Sequence, residues 1–303
     1  MDGANRQPIS RRQFLGIAQT VCTSFMLAGC ASHETQTETP LEESDVQEFD
    51  QSFQSLGSAR TMQEIIASRT IVVGVCSDAR PYSYLDGGGN YVGLDVVSAD
   101  VVAWDWGVSV RYVETDPADA ESYLQSHKVD AVFCSTAVPG ESCLQSTPFI
   151  AARQAIVAKE GVTLEALEDL SGMKVAVCKG TFAERFITDA GVSADVRSYD
   201  SYTLTYQALK NGAVDVLCVD QLIARVWVKN NKGYVVVLDD LGEPCPAGIL
   251  VSGDNESLVT EMSHEAFRMV NEGRVFAAYD KYVAPSLNGV DYKSVLLTIE
   301  EDV

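Results

Sequence analysis

Ile71-Val-Val-Gly-Val-Cys-Ser-Asp-Ala-Arg-Pro-Tyr82 is an apolar, β-branched run that breaks off abruptly into polar and turn-forming residues. A buried parallel strand reads this way when it delivers its C-terminal end to a ligand crevice. The pattern recurs at Val129-Asp-Ala-Val-Phe-Cys134-Ser135, Met173-Lys-Val-Ala-Val-Cys178-Lys-Gly180 and Val214-Asp-Val-Leu-Cys218-Val-Asp220. Each is a short apolar strand with a Cys near its last position. Ligands of open α/β sheets sit outside the carboxyl ends of the strands. Four such ends, two early and two late, predict two α/β lobes facing one cleft.

Length and composition agree with that architecture. The 303 residues suffice for two lobes, and 46% hydrophobic against 21% charged residues describes a globular chain. The formal charge is -21; removing the net +2 of an N-terminal export segment leaves about -23. So acidic a surface repels phosphates, and no basic stripe is present, which argues against nucleic acid as a partner.

The export segment spans residues 1–29. Ser10-Arg-Arg-Gln-Phe-Leu15 reads as a twin-arginine motif, Gly16 to Leu27 as a short apolar core, and Leu27-Ala-Gly-Cys30 as a box ending in a cysteine. The apolar core is too short for an ordinary membrane span. Together these features resemble a bacterial lipoprotein signal. The resemblance implies cleavage before Cys30, a lipid on its sulfur, export of an already folded protein and attachment to the outer face of the membrane. Ala31 to Asp50 carries seven carboxylates with no Lys or Arg. Residues 30–62 therefore read as a solvated acidic tether.

Beyond the tether, strand and helix patterns alternate. Leu85-Asp-Gly-Gly-Gly-Asn-Tyr91 reads as a hairpin turn, since the Gly-Lys-Ser/Thr ending of a phosphate loop is missing. Asp95–Trp106 reads as a helix directing Val97, Val101 and Trp104 inward. A strand is expected at Val108–Val113, a helix near Ala118–Ser126, and a crossing between lobes at Ile150–Lys159. The second lobe repeats the scheme with a short helix at Leu164–Leu170 and a strand at Met173–Cys178. Thr181-Phe-Ala-Glu184 then matches a capping box, with Glu184 reaching back to the cap, and Gly180 before it permits a tight turn. Exposed amides at such a helix start can hold an anion. A strand near Val196–Tyr199, a helix at Tyr202–Asn211, a return crossing at Ala247–Ser252 and helices Ser257–Asn271 and Arg274–Val283 complete the chain. The expected division is a first lobe over 63–152, a second over 153–246, and a return to the first over 247–303.

In order, these pieces resemble the extracellular solute-binding proteins of family 3, which serve amino-acid importers. The matching residues are Val73-Gly-Val75 with Pro81-Tyr-Ser-Tyr-Leu85; Gly89-Asn-Tyr-Val-Gly-Leu-Asp95; and Lys128-Val-Asp-Ala131. Leu167-Glu-Asp-Leu-Ser-Gly-Met-Lys-Val-Ala-Val177 with Lys179-Gly-Thr181, Leu209-Lys-Asn-Gly-Ala-Val-Asp215 with Val219-Asp220, and Gly273 through Lys281-Tyr-Val283 follow. The resemblance covers about Thr70 to Pro285. It implies the periplasmic-binding-protein-like II fold, two α/β lobes joined by two crossing strands and closing on a solute. It also implies an ABC permease as partner, a monomer, and no cofactor or metal.

At the binding site the sequence departs from the family. The family's carboxylate-binding Arg, a fork well matched to that group, falls on Ser142 or Pro139 depending on the anchor. Ala79 replaces the aromatic wall before the first Pro, and Phe182 stands where a small hydroxyl is usual. Asp220 matches the family's carboxylate for an α-amino group, and the Gly180-Thr181 turn survives. Arg80 or Lys179 is positioned to supply a replacement charge, or to be a solvated rim residue. The candidate ligand contacts are Cys76, Asp78, Arg80, Tyr82, Cys134, Ser135, Gly180, Thr181, Phe182 and Asp220.

Eight cysteines include Cys22 in the signal and Cys30 at the lipid site. For Cys76, Cys134, Cys178 and Cys218 three readings stay open: small buried hydrophobes, disulfides pairing Cys76 with Cys134 and Cys178 with Cys218, or a thiolate metal site. Three functions stay open likewise. The first is a lipid-anchored binding protein delivering an amino acid or related amine to an importer. The second is a lyase- or dehydratase-like enzyme on the same scaffold, weakened by scattered His33, His127 and His264 and the lack of a GxSxG elbow. The third is a sensor or scaffold lipoprotein with a decayed cleft.

Overall fold

The computed structural model describes residues 55–282 and 284–286. The export signal, Cys30, the acidic stretch to Asp50 and the last residues lie outside them. Among the described residues no helix is long and apolar enough to cross a membrane.

The chain enters through α1 (Met62–Ser68), which is capped reciprocally. Thr61 Oγ1 accepts from the Glu64 amide at 3.3 Å and the Glu64 carboxylate accepts from the Thr61 amide at 2.8 Å. The residues before α1 are already docked, with the Leu56 amide on the His127 carbonyl at 2.8 Å and Arg60 paired to buried Asp130. Asp130 also accepts from the Val72 amide at 2.7 Å, so one carboxylate ties the entry segment to the start of the first sheet.

That sheet is built on β1 (Thr70–Val75), whose Ile71, Val73 and Val75 are fully buried. A three-stranded ribbon follows, β2 (Asp78–Ala79), β3 (Ser83–Leu85) and β4 (Tyr91–Val92). Its turn forms as expected, Asp86 Oδ1 accepting from the Gly88 and Asn90 amides at 2.8 and 3.0 Å. Then come α2 (Leu94–Trp106), β5 (Ser109–Glu114), a 3₁₀ turn (Pro117–Asp119), α3 (Ala120–Gln125), β6 (Ala131–Val132) and β7 (Cys143–Gln145). The predicted Cys134 strand is shorter than its apolar run, because only Ala131 and Val132 pair with β1. Val101 is buried as expected, at 4% exposed, but Trp104 is 57% exposed and Trp106 is buried in its place. Two residues of helix separate them by about 200°, so only one can face the core. Trp106 is the one with a polar partner inside, its Nε1 donating to Glu265 at 3.0 Å.

β8 (Ile150–Lys159) makes the first crossing, as predicted. The second sheet then assembles from β9 (Lys174–Cys178), α4 (Phe182–Asp189), β10 (Asp195–Tyr199), α5 (Tyr202–Lys210), β11 (Val216–Asp220) and α6 (Gln221–Asn230). The expected helix at Leu164–Leu170 is only a 3₁₀ turn over Leu167–Leu170. β12 (Tyr234–Ala247) is the real return crossing, earlier and longer than the segment read for it. Its polar middle hid the strand: register shifts at Val236/Leu238, Leu238/Leu241 and Leu241/Cys245 bulge it away from β8 and spoil the alternation. β13 (Leu250–Ser252) already belongs to the first sheet, and α7 (Glu256–Asn271) and α8 (Arg274–Tyr282) pack behind it.

The sheets run β5-β1-β6-β13-β7 and β10-β9-β11-β8-β12. Each has parallel strands at its centre and its own core; in the second, Ile156, Leu170, Val175, Val177, Ile187 and Val216 are buried together with Cys218. The strand ends of the two sheets meet at one interlobe cleft.

Candidate functional site

The lobes are closed on each other by backbone as well as side-chain bonds. The Val138 amide donates to the Gly180 carbonyl at 2.9 Å, the Phe182 amide to the Thr136 carbonyl at 3.0 Å, and Ala137 and Thr181 form a bridge. The approach is possible because Gly180 has φ of +76° and no Cβ; one placed there would lie 2.5 Å from the Ala118 Cα. On another side of the cleft the Thr203 amide donates to Asp78 Oδ2 at 2.7 Å.

Asp220 sits at the centre of this contact. It ends β11, caps α6, and is 6% exposed. Oδ1 accepts from the Leu222 and Ile223 amides at 2.8 and 3.3 Å and, across the cleft, from the Tyr82 hydroxyl at 3.0 Å. Burial pushes the carboxyl up to about 7 against the pull of these donors. Burial first, then the nearby Asp220 charge, raises the Tyr82 phenol, which keeps it a donor.

A second buried carboxylate, Asp95, was quoted in the family motif but given no role. It accepts from the Ser135 amide at 3.1 Å and from the Ser135 hydroxyl, and burial raises it to about 6. It fixes the Ser135–Val138 segment that meets the opposite lobe. Tyr202 is also new: it is 1% exposed, and burial first, then charge on nearby Cys178, raises its phenol well above the ordinary range. No periodicity marks these residues.

The remaining predicted residues divide into two groups. Cys76 and Cys134 are buried, as are Tyr82 and Asp220, with Cys76 Sγ on Asp78 at 3.3 Å and Cys134 Sγ on the Thr136 hydroxyl at 3.7 Å. Thr181 is spent locally, donating to the Cys178 carbonyl at 2.6 Å and accepting from the Glu184 amide at 3.3 Å. The capping box is half formed: the Glu184 carboxylate reaches the Gly180 amide at 2.7 Å instead of Thr181, which is bridged to Ala137. Phe182 is buried, with the Arg185 guanidinium 5.0 Å from its ring. Asp78 and Arg80 point to the cleft mouth, where Arg80 Cζ lies 3.7 Å from the Tyr84 ring centroid. Lys179 is exposed. Ser142 supplies backbone only, its amide donating to Glu121 at 2.8 Å and its carbonyl accepting from Gly253 at 2.9 Å.

All six described cysteines are free thiols. Cys178 and Cys218 do not face each other: β9 and β11 pair Leu217 with Ala176, which sets Cys218 level with Val177, one residue out of step. Side chains alternate along a strand, so Cys218 enters the second-lobe core while Cys178 turns to the cleft. Burial raises all three cleft-side thiols, and charge nearby raises them further: Cys134 and Asp78 beside Cys76, Asp95 beside Cys134, and Asp78 and Cys134 beside Cys178. Among the described residues no group of three or more His, Cys, Asp or Glu is placed to hold a metal.

Residues 71–285 match the model of the bacterial extracellular solute-binding proteins, family 3. The chain is 27% identical over 237 residues to the L-cystine-binding protein TcyJ of Escherichia coli (strain K12), covering 76% of this chain and 89% of that protein. It is 24% identical over 205 residues to the ABC transporter arginine-binding protein 1 of the same organism, covering 65% of this chain and 84% of the other. Among solved structures, a solute receptor for L-cysteine of Neisseria gonorrhoeae superposes with a TM-score of 0.75 at 27% identity, covering 78% of this chain and 100% of that one.

Proposed function

We propose, from the premise that this chain belongs to family 3 of the bacterial extracellular solute-binding proteins, that it captures a free amino acid between its lobes and passes it to an ABC permease. The relatives named above are binding proteins and not enzymes. Cys30 carries the lipid that holds the exported protein at the outer face of the cell membrane, the acidic segment spaces it from the surface, and the protein works as a monomer without cofactor.

The observation that carries the reading is the pairing of Asp220 with Tyr82. A carboxylate is held at the lobe boundary by two helix amides, and its third donor is a phenol from the opposite lobe. Opening about β8 and β12 withdraws Tyr82 and leaves that carboxylate facing solvent. A solute ammonium is a charge-assisted donor and a stronger partner for it than a phenol. The proteins named for L-cystine, L-cysteine and arginine place those solutes first on a panel.

The test is thermal unfolding of residues 31–303 against free amino acids and polyamines. A solute at 100 times its dissociation constant adds about 2.7 kcal/mol. A rise in melting temperature with an amine-bearing solute, reduced in Asp220→Asn, is expected. No shift across the panel would refute solute capture and favour a sensor with a decayed cleft.

A further inference from the structure

A cavity of about 320 Å³ lies at the cleft mouth, away from Asp220. Its wall comes from both lobes: Asp78 and Arg80 from the first, and Tyr206, Trp227, Asn230 and Asn231 from the second. That volume is at the small end for ligand sites and suits one small solute, not a peptide.

The chemistry of the wall is specific. Arg80 is exposed and has no carboxylate within ion-pair distance among the described residues; its one described contact is the Tyr84 ring, 3.7 Å from Cζ. Stacking holds the guanidinium plane and leaves its edge N–H groups free for a carboxylate fork. Asp78 accepts one bond at each oxygen, from Cys76 Sγ at 3.3 Å and the Thr203 amide at 2.7 Å, and a carboxylate retains further acceptor positions. Asn230 and Asn231 spend their amide nitrogens on the Val226 and Trp227 carbonyls, both at 2.9 Å, so their side-chain oxygens are the acceptors left over. Trp227 is locked by Tyr206, stacked at 5.1 Å, by the edge of Tyr234 at 4.8 Å and by the Lys210 ammonium 5.4 Å from its centroid, a rigid aromatic wall.

One cation fork, a set of acceptors and a fixed aromatic face together describe a receptor for a small zwitterion. We infer that the cleft mouth is a second solute site, binding a free amino acid through its carboxylate on Arg80 and its ammonium on Asp78, with the side chain against Trp227 and Tyr206. Because both lobes contribute, its occupant binds the closed form and holds it closed. The inference shares the amino-acid solute class with the proposed function but not its Asp220 anchor.

The experiment is calorimetric titration of residues 31–303 with a free amino acid that raises the melting temperature. Its methyl ester and its decarboxylated amine serve as controls, and Trp fluorescence is followed in parallel. In Asp220→Asn a binding event is expected to remain, absent with the ester and the amine. Arg80→Gln weakens that event about 10- to 100-fold, the loss expected for a charged hydrogen-bond pair. Arg80→Lys recovers only part of it, since an ammonium cannot form the fork. Arg80 makes one ring contact among the described residues and is exposed, so unchanged circular dichroism and melting temperature show that the variants fold. Loss of all binding in Asp220→Asn, or residual binding untouched by Arg80→Gln, overturns the mouth site and leaves the proposed function standing. Binding abolished by Arg80→Gln and unaffected by Asp220→Asn overturns the Asp220 anchor and leaves the mouth site. No binding of any amino acid overturns both.

Discussion

Replacing Asp220 by Asn should stabilise the solute-free protein while it weakens solute binding. Asp220 is buried, and its carboxyl rises from an ordinary 3.8 to about 7 in the folded state. The folded state therefore holds this proton more tightly than the unfolded chain does. The contribution is fully present below pH 4 and is lost as pH rises through about 7; above that the buried charge costs its full amount. Roughly three pH units at 1.36 kcal/mol each give about 4 kcal/mol as the most this residue can cost at pH 8. Asparagine is isosteric, caps a helix as well as aspartate, and offers the same oxygen to the Leu222 and Ile223 amides and the Tyr82 hydroxyl. Urea unfolding of residues 31–303 at pH 4.5 and 8, for both proteins, reads the group, since every other titrating side chain is common to both and the Asp95 charge is the smallest cause acting on Asp220. The variant should be the more stable at pH 8 by one to several kcal/mol, with the gap shrunk to about a quarter at pH 4.5. A gap independent of pH, or a variant less stable at pH 8, would show that Asp220 is not a strained buried charge and would refute the reasoning.

Gly180→Ala tests the closed contact. Its Cβ would collide with the Ala118 backbone at a positive φ, so a loss of about 2 kcal/mol or more and a larger radius of gyration by small-angle scattering are expected; an unchanged radius would sink it. Thiol alkylation followed by mass spectrometry should modify half-buried Cys143 and Cys245 first and leave Cys76, Cys134, Cys178 and Cys218 protected until unfolding. A recovered Cys76–Cys134 disulfide peptide would contradict the free-thiol assignment.

Much of the fold was legible because its signals are local. Apolar runs that stop at Cys76, Cys178 and Asp220 mark the ends of β1, β9 and β11, and the crossing at Ile150–Lys159 falls where its extended, apolar run placed it. β12 was not legible, since a strand that bulges around Asp239–Cys245 loses the two-residue alternation by which strands are recognised. The face of α2 was misread between Trp104 and Trp106 because either is a plausible anchor until Glu265, distant in sequence, supplies an indole partner. The Cys178–Cys218 pairing failed on register, which the spacing within one strand does not contain.

The site divides the same way. The sequence alone determined that the family's guanidinium fork is absent at Ser142 and Pro139 and that the Asp220 carboxylate and the Gly180-Thr181 turn remain, because side-chain chemistry is read directly from residue type. It also determined the family itself, through the order and spacing of its motifs. Only the tertiary structure decided which of those groups meet. Tyr82 and Asp220 stand 138 positions apart, and Asp78 and Thr203 125. Such pairs arise from closing two lobes, and the burial that raises Asp220 exists only once both lobes exclude water from it.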